Sequence, residues 1–233
     1  MPRFLKKPPA WAGALLVLYA AARWLLGVLA LPDPAAPLPP GSHATYLLAF
    51  TAFFLPLLYL LPCALAGRWL KPDLRTLLLY AGTAYFFGAG LELVMDRLFV
   101  LVLGRPCYLY FIWPLHGGHT SGTGLVVWPL YGFFVALVHQ SVHGTAARTA
   151  LLAVDAMVLE VAANVFSLVF FGSWLFRYHA ADLHHFTTVE AFPIYLLGGY
   201  PGVLLLKAWE QHPRRGWLGG VLWLLIMALV FLP

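Results

Sequence analysis

Residues 76–103 read TLLLYAGTAYFFGAGLELVMDRLFVLVL, a proline-free apolar run in which only Glu92, Asp96 and Arg97 are charged. It is longer than the ~20 residues needed to cross a bilayer and shows no two-residue alternation, so it predicts a membrane helix rather than a barrel strand. Working outward, comparable windows lie at 11–31, 45–66, 121–138, 149–176, 189–206 and 216–232. The whole chain fits this pattern: of 233 residues, 62% are hydrophobic and 10% charged, against roughly 45–50% and about 25% in soluble domains. The expected fold is all-α, a polytopic bundle of about seven transmembrane helices filling one membrane domain over 1–233. A water-soluble domain is excluded. The net charge of +5 comes from basic residues scattered singly at segment ends, so a nucleic-acid patch is excluded as well.

Seven crossings put the termini on opposite sides. Arg3, Lys6, Lys7, Arg68, Lys71, Arg75, Arg148, Lys207, Arg214 and Arg215 then share one side, and only Arg105 and Arg177 take the other. The positive-inside rule makes the first side cytoplasmic, as in a bacterial inner membrane, with the N-terminus inside and the C-terminus outside. Residues 31–43, LPDPAAPLPPGSH, carry five prolines and no Lys or Arg, as suits a short outer loop. A basic start and a small residue near Ala30 also resemble a cleavable signal, but the apolar run is long and holds Arg23 and Trp24, which favours a retained helix. Cys63 and Cys107 fall on opposite sides and cannot pair.

An internal repeat is visible around the opening stretch. Leu91-Glu92, Asp96 and Gly104 recur as Leu159-Glu160, Asn164 and Gly172, at a constant offset of 68. Trp128-Pro129-Leu130-Tyr131 recurs as Phe192-Pro193-Ile194-Tyr195 at an offset of 64, which puts both prolines in the first turn of helices entering from outside. The expectation is two parallel repeats, hairpins 76–143 and 149–209.

The residues Glu92, Arg97, Pro129-Leu130-Tyr131-Gly132-Phe133, Leu159-Glu160, Trp174, Arg177-Tyr178 and Phe192-Pro193 resemble the bacterial type IV ABC-transporter permeases of the CmpB-like family, over roughly residues 85–205. The family's Asn-Arg-Gly and Trp-Asp-Tyr runs stand here as Leu103-Gly104-Arg105 and Phe176-Arg177-Tyr178. The resemblance implies a membrane component without defined chemistry. No P-loop is present, so ATP dependence would need a separate partner subunit.

Glu92, Asp96, Arg97, Asp155 and Glu160 lie inside apolar windows, where each charge costs at least about 2.5–3.5 kcal/mol and needs an internal partner or cavity. Glu92 and Asp96 share a helical face, as do Glu160 and Asn164. If the repeats face each other, these four side chains converge with Arg97 into a substrate or ion site for a small cation, a proton or a small polar solute. The structural alternative is a polar clasp, with Arg97 neutralising Asp96 and Arg23 as a further partner.

Of nine histidines, six fall outside by this topology. His116 and His119, with His179, Asp182 and His185, have spacings able to hold a divalent metal ion from two loops. That supports a second class, an intramembrane metalloenzyme acting on a lipid or isoprenoid. The third class is a non-catalytic membrane subunit or scaffold. Di-iron histidine boxes fit poorly, because His139 and His143 fall on the opposite face. Rhomboid and CAAX-protease patterns are absent. The aromatic stretch Tyr108–Trp113 reads as an interfacial belt lying flat on the outer leaflet. The leading expectation is a permease-like protein of the bilayer whose ligand is a small solute, ion or lipid.

Overall fold

The structure, a computed structural model, describes residues 38–232. The first apolar window and Arg23 lie outside these residues. Six α-helices occur among them: α1 His43–Ala66, α2 Leu74–Leu103, α3 Gly124–Ser141, α4 Thr145–Phe171, α5 Ala191–Glu210 and α6 Arg215–Phe231. Four of them (α1 with its preceding turn, α3, α4 and α5) are long and apolar enough to cross a membrane. The 30-residue α2 carries Arg75, Glu92, Asp96 and Arg97, and α6 has 17 residues.

Local chemistry sets the ends. Asp73 caps α2, its carboxylate accepting the Thr76 N–H at 3.0 Å. Gly104 and Gly172, with φ of 68° and 64°, close α2 and α4 in the left-handed conformation that glycine adopts most readily. The latter stops α4 at Phe171, so residues 172–176 of the fifth expected stretch are not helical. Trp174 and Phe176 belong to the connection and to a strand. Pro129 also differs from expectation. Helix α3 begins at Gly124, so this proline sits inside the helix, past its first turn.

Successive helices alternate in direction, and their ends gather into two poles. At one pole His43 stacks on Trp113 at 5.1 Å, Trp113 meets Phe231, and His116 bonds the Val230 carbonyl at 2.9 Å. At the other pole Arg215 reaches Asp73 at 3.1 Å, and Arg148 joins His139. Helix α2 packs on α3 and α6, α4 on α5, and α1 on α3. The α2–α6 crossing depends on small residues: a Cβ at Gly82 would lie 1.9 Å from the Gly219 carbonyl oxygen. An aromatic core joins α1 to α4, with Phe50 and Phe54 each 5.7 Å from Phe166. Beside it the Tyr46 and Ser167 hydroxyls bond at 2.8 Å.

Across the first pole runs a short ribbon. Strand β1, Tyr108–Tyr110, pairs antiparallel with β4, Phe176–Tyr178, in the register Tyr108↔Tyr178, Leu109↔Arg177 and Tyr110↔Phe176. Strands β2, Pro114–Leu115, and β3, Thr120–Ser121, form a second small pair. The belt expected over Tyr108–Trp113 is therefore partly strand. Tyr108 and Tyr110 turn toward Phe176 and Tyr178 rather than lying flat on lipid.

Candidate functional site

Beneath the ribbon, each of the two glutamates sits in a cage of three donors. Glu92 on α2 is buried. Its Oε1 accepts from the Tyr110 hydroxyl and from Trp128 Nε1 at 3.0 Å, and its Oε2 accepts from the Thr120 hydroxyl at 2.7 Å. Glu160 on α4 has the same arrangement. Oε1 accepts from Tyr178 at 2.6 Å and from Tyr195, and Oε2 accepts from Thr187. In each cage one donor comes from the ribbon, one from the segment after it and one from the next helix.

One helical turn toward the ribbon along the same face, Asp96 and Asn164 tie down the chain that follows their helices. Asp96 Oδ1 receives the N–H groups of Cys107 at 2.6 Å and Tyr108 at 3.3 Å. Asn164 Oδ1 receives those of Leu175 and Phe176, both at 3.2 Å. Both side chains are fully buried. Helix, left-handed glycine and strand are thus fastened by one side chain per half, which satisfies backbone donors that would otherwise be stranded at the pole.

Each of the four polar groups is held by donors of its own hairpin, and the cages adjoin through rings, Tyr108 standing 5.7 Å from Tyr110 and 5.4 Å from Tyr178. The matching cage donors stand at an offset of 67, where the Pro-x-Tyr motifs stand at 64. Trp128 answers to Tyr195, and Thr120 to Thr187, while the Tyr131 hydroxyl goes to the Leu152 carbonyl at 3.1 Å.

Arg97 is exposed on α2 and makes no ion pair with the described residues. Asp96 instead receives His119 Nδ1. Asp155 is buried on α4, and its Oδ2 finds no hydrogen-bond partner among the described residues.

The expected metal ligands are dispersed. His119 is taken by Asp96, His116 by Val230, and His185 by the Tyr178 carbonyl at 2.8 Å. Asp182 accepts the Val189 N–H at 2.8 Å and the Thr188 hydroxyl at 3.1 Å, fixing the entry to α5. The His179 ring forms no hydrogen bond with the described residues, while its backbone N–H donates to the Cys107 carbonyl at 2.8 Å. Among the described residues no three His, Cys, Asp or Glu side chains gather as a metal site would require. The physical reason is that His116 and His119 are taken up by the neighbouring helices, while His185 and Asp182 serve the turns of their own loop. Cys63 and Cys107 are free thiols. Burial, with Asp96 nearby, pushes the Cys107 thiol up to about 12.

Sequence reasoning missed Tyr110, Thr120, Tyr178 and Thr187. The signal was present, since each pair recurs at an offset of 68 or 67, but it lies in loops outside the apolar windows.

Comparison with protein-family models, curated proteins and solved structures finds no match. What fold and site define is a class: a mostly helical protein with apolar helices fit to cross a membrane.

Proposed function

We propose that the protein is a permease-like inner-membrane protein that moves protons, with Glu92 and Glu160 as the groups that take them up and release them. The observation that carries this reading is the repetition of one cage, three neutral donors on one carboxylate, in both hairpins. Neutral donors turn their positive ends toward the carboxylate oxygens, an arrangement unfavourable to a metal cation or a cationic solute. A proton is different. Added at Oε2, it is accommodated when the threonine hydroxyl reverses from donor to acceptor, with no heavy atom moved. Ionisable side chains at membrane depth are costly and mark proton relays and ion pathways.

In this reading 76–143 and 149–209 are parallel repeats within a seven-span bundle. The ribbon register supports it, because position 108 pairs with the counterpart of 110, and 110 with the counterpart of 108. The pole with Arg68, Lys71, Arg75, Arg148, Lys207, Arg214 and Arg215 faces the cytoplasm. The resemblance to CmpB-like permeases points the same way.

A second reading, the scaffold, is favoured by the fact that each cage is closed by donors of its own half. Proteoliposomes holding a pH-sensitive dye separate the two. Under an imposed pH gradient the proton reading expects flux in the native protein, lost in Glu92→Gln and Glu160→Gln. No native flux, with both variants simply less stable, supports the scaffold.

A further inference from the structure

Resting on the proton reading above, we infer that His119 and Asp96 form the port through which protons reach the first hairpin's cage from the ribbon side, and that the second hairpin has no such port. The argument comes from an asymmetry between otherwise matching halves. Asp96 and Asn164 do the same structural work on the backbone. A neutral amide suffices for it in one half, so the acid in the other half is not needed for that task.

What the acid adds is its grip on an imidazole. His119 Nδ1 meets Asp96 Oδ2, while the corresponding position 67 residues on is Phe186, whose backbone carbonyl accepts from Asn164 Nδ2 at 3.3 Å. The second half is closed by an aromatic ring that is fully buried. In the first half the Asp96 side chain is 0% exposed and that of His119 24% exposed, so the pair runs from the interior to the surface. His119 Nε2 has no partner among the described residues. A carboxylate holding one ring nitrogen fixes the tautomer and leaves the other to exchange protons. The neighbouring titratable groups are Glu92, one helical turn along α2, and Cys107 and Tyr108, whose backbone N–H groups Asp96 holds. Glu92 is reached from Thr120, the residue next to His119.

The transfer balances simply. A proton arriving at Nε2 displaces the Nδ1 proton onto Asp96 Oδ2. This leaves a neutral imidazole in the other tautomer and a neutral carboxylic acid, with one proton gained overall.

The test copies the second half into the first: Asp96→Asn with His119→Phe, reconstituted beside the native protein, Glu92→Gln and the single variant His119→Gln. The port predicts that flux in the double variant and in His119→Gln falls by about a hundredfold, the scale of a lost proton-transfer group, while the thermal midpoint of the double variant stays within a few degrees of native. Native-like flux in both, with Glu92→Gln inactive, overturns the port and leaves the proton reading standing. Absence of flux in the native protein overturns the reading beneath it, and the port with it.

Discussion

Asp96 and Asn164, 68 residues apart in the chain, hold matching pairs of consecutive backbone N–H groups where the strands after their helices begin. This equivalence makes the cost of each substitution predictable. Asp96→Asn keeps an acceptor in place and is expected to leave thermal stability in detergent nearly native. Asp96→Ala and Asn164→Ala strand two donors each, at about 1–3 kcal/mol per donor. A larger loss for Asp96→Asn than for Asp96→Ala would contradict the assignment.

The cage donors are predicted to matter in pairs. Tyr110→Phe and Tyr178→Phe remove matching hydrogen bonds to a carboxylate while keeping the ring packing, and each should cost about 1.5–3 kcal/mol, the range for bonds to charged groups. Double-mutant cycles with Glu92→Gln and Glu160→Gln would show coupling within a half and near-additivity between halves. Strong coupling of Tyr110 to Glu160 would contradict separate cages.

Much of this was legible in the sequence because it is written in helix. Glu92, Asp96, Glu160 and Asn164 stand at fixed spacings in apolar windows, where a charge is conspicuous. The donors were harder to read. Tyr110, Thr120, Tyr178 and Thr187 come from connections whose conformation depends on the β1–β4 pairing, a contact across 68 residues that no local pattern encodes. The offset of 64 failed for a related reason: matching Tyr131 with Tyr195 by their Pro-x-Tyr spelling ignored that α3 begins earlier relative to its proline than α5 does. The histidines misled because spacing says nothing about which carbonyl or carboxylate each ring has already met.

Packing of α6 on α2 gives a third expectation. Because a Cβ on Gly82 would collide with the Gly219 backbone, and one on Gly219 would stand 2.0 Å from the Leu78 oxygen, Gly82→Val or Gly219→Val should separate the helices. Overpacking of this kind typically costs about 1–3 kcal/mol. Cysteine cross-linking between α2 and α6 should fall in parallel with the thermal midpoint, and unchanged cross-linking would refute the crossing.

Cys107 supplies a pH-dependent expectation. Its thiol, ordinarily at 9.0, is pushed up to about 12 by burial. The folded protein therefore favours the protonated form: the contribution to stability is fully present below pH 9 and is lost as pH rises toward 12. At pH 8 the thiolate is depleted about a thousandfold relative to an ordinary cysteine. In a Cys63→Ala background, maleimide labelling of the folded protein should be slower than that of the denatured chain by a similar factor. Labelling at the denatured rate would show the Cys107 environment to be wrong.

The central claim is that Glu92 and Glu160 gain and lose protons in the working protein. Infrared difference spectroscopy of the lipid-reconstituted protein, taken between acidic and alkaline buffer, reads the protonated carboxyl band of such groups directly. The account predicts a carboxyl signal in the native protein that loses one component in Glu92→Gln, another in Glu160→Gln and both when the two are changed together. A native spectrum without that signal, or one unaltered in the double variant, would contradict it.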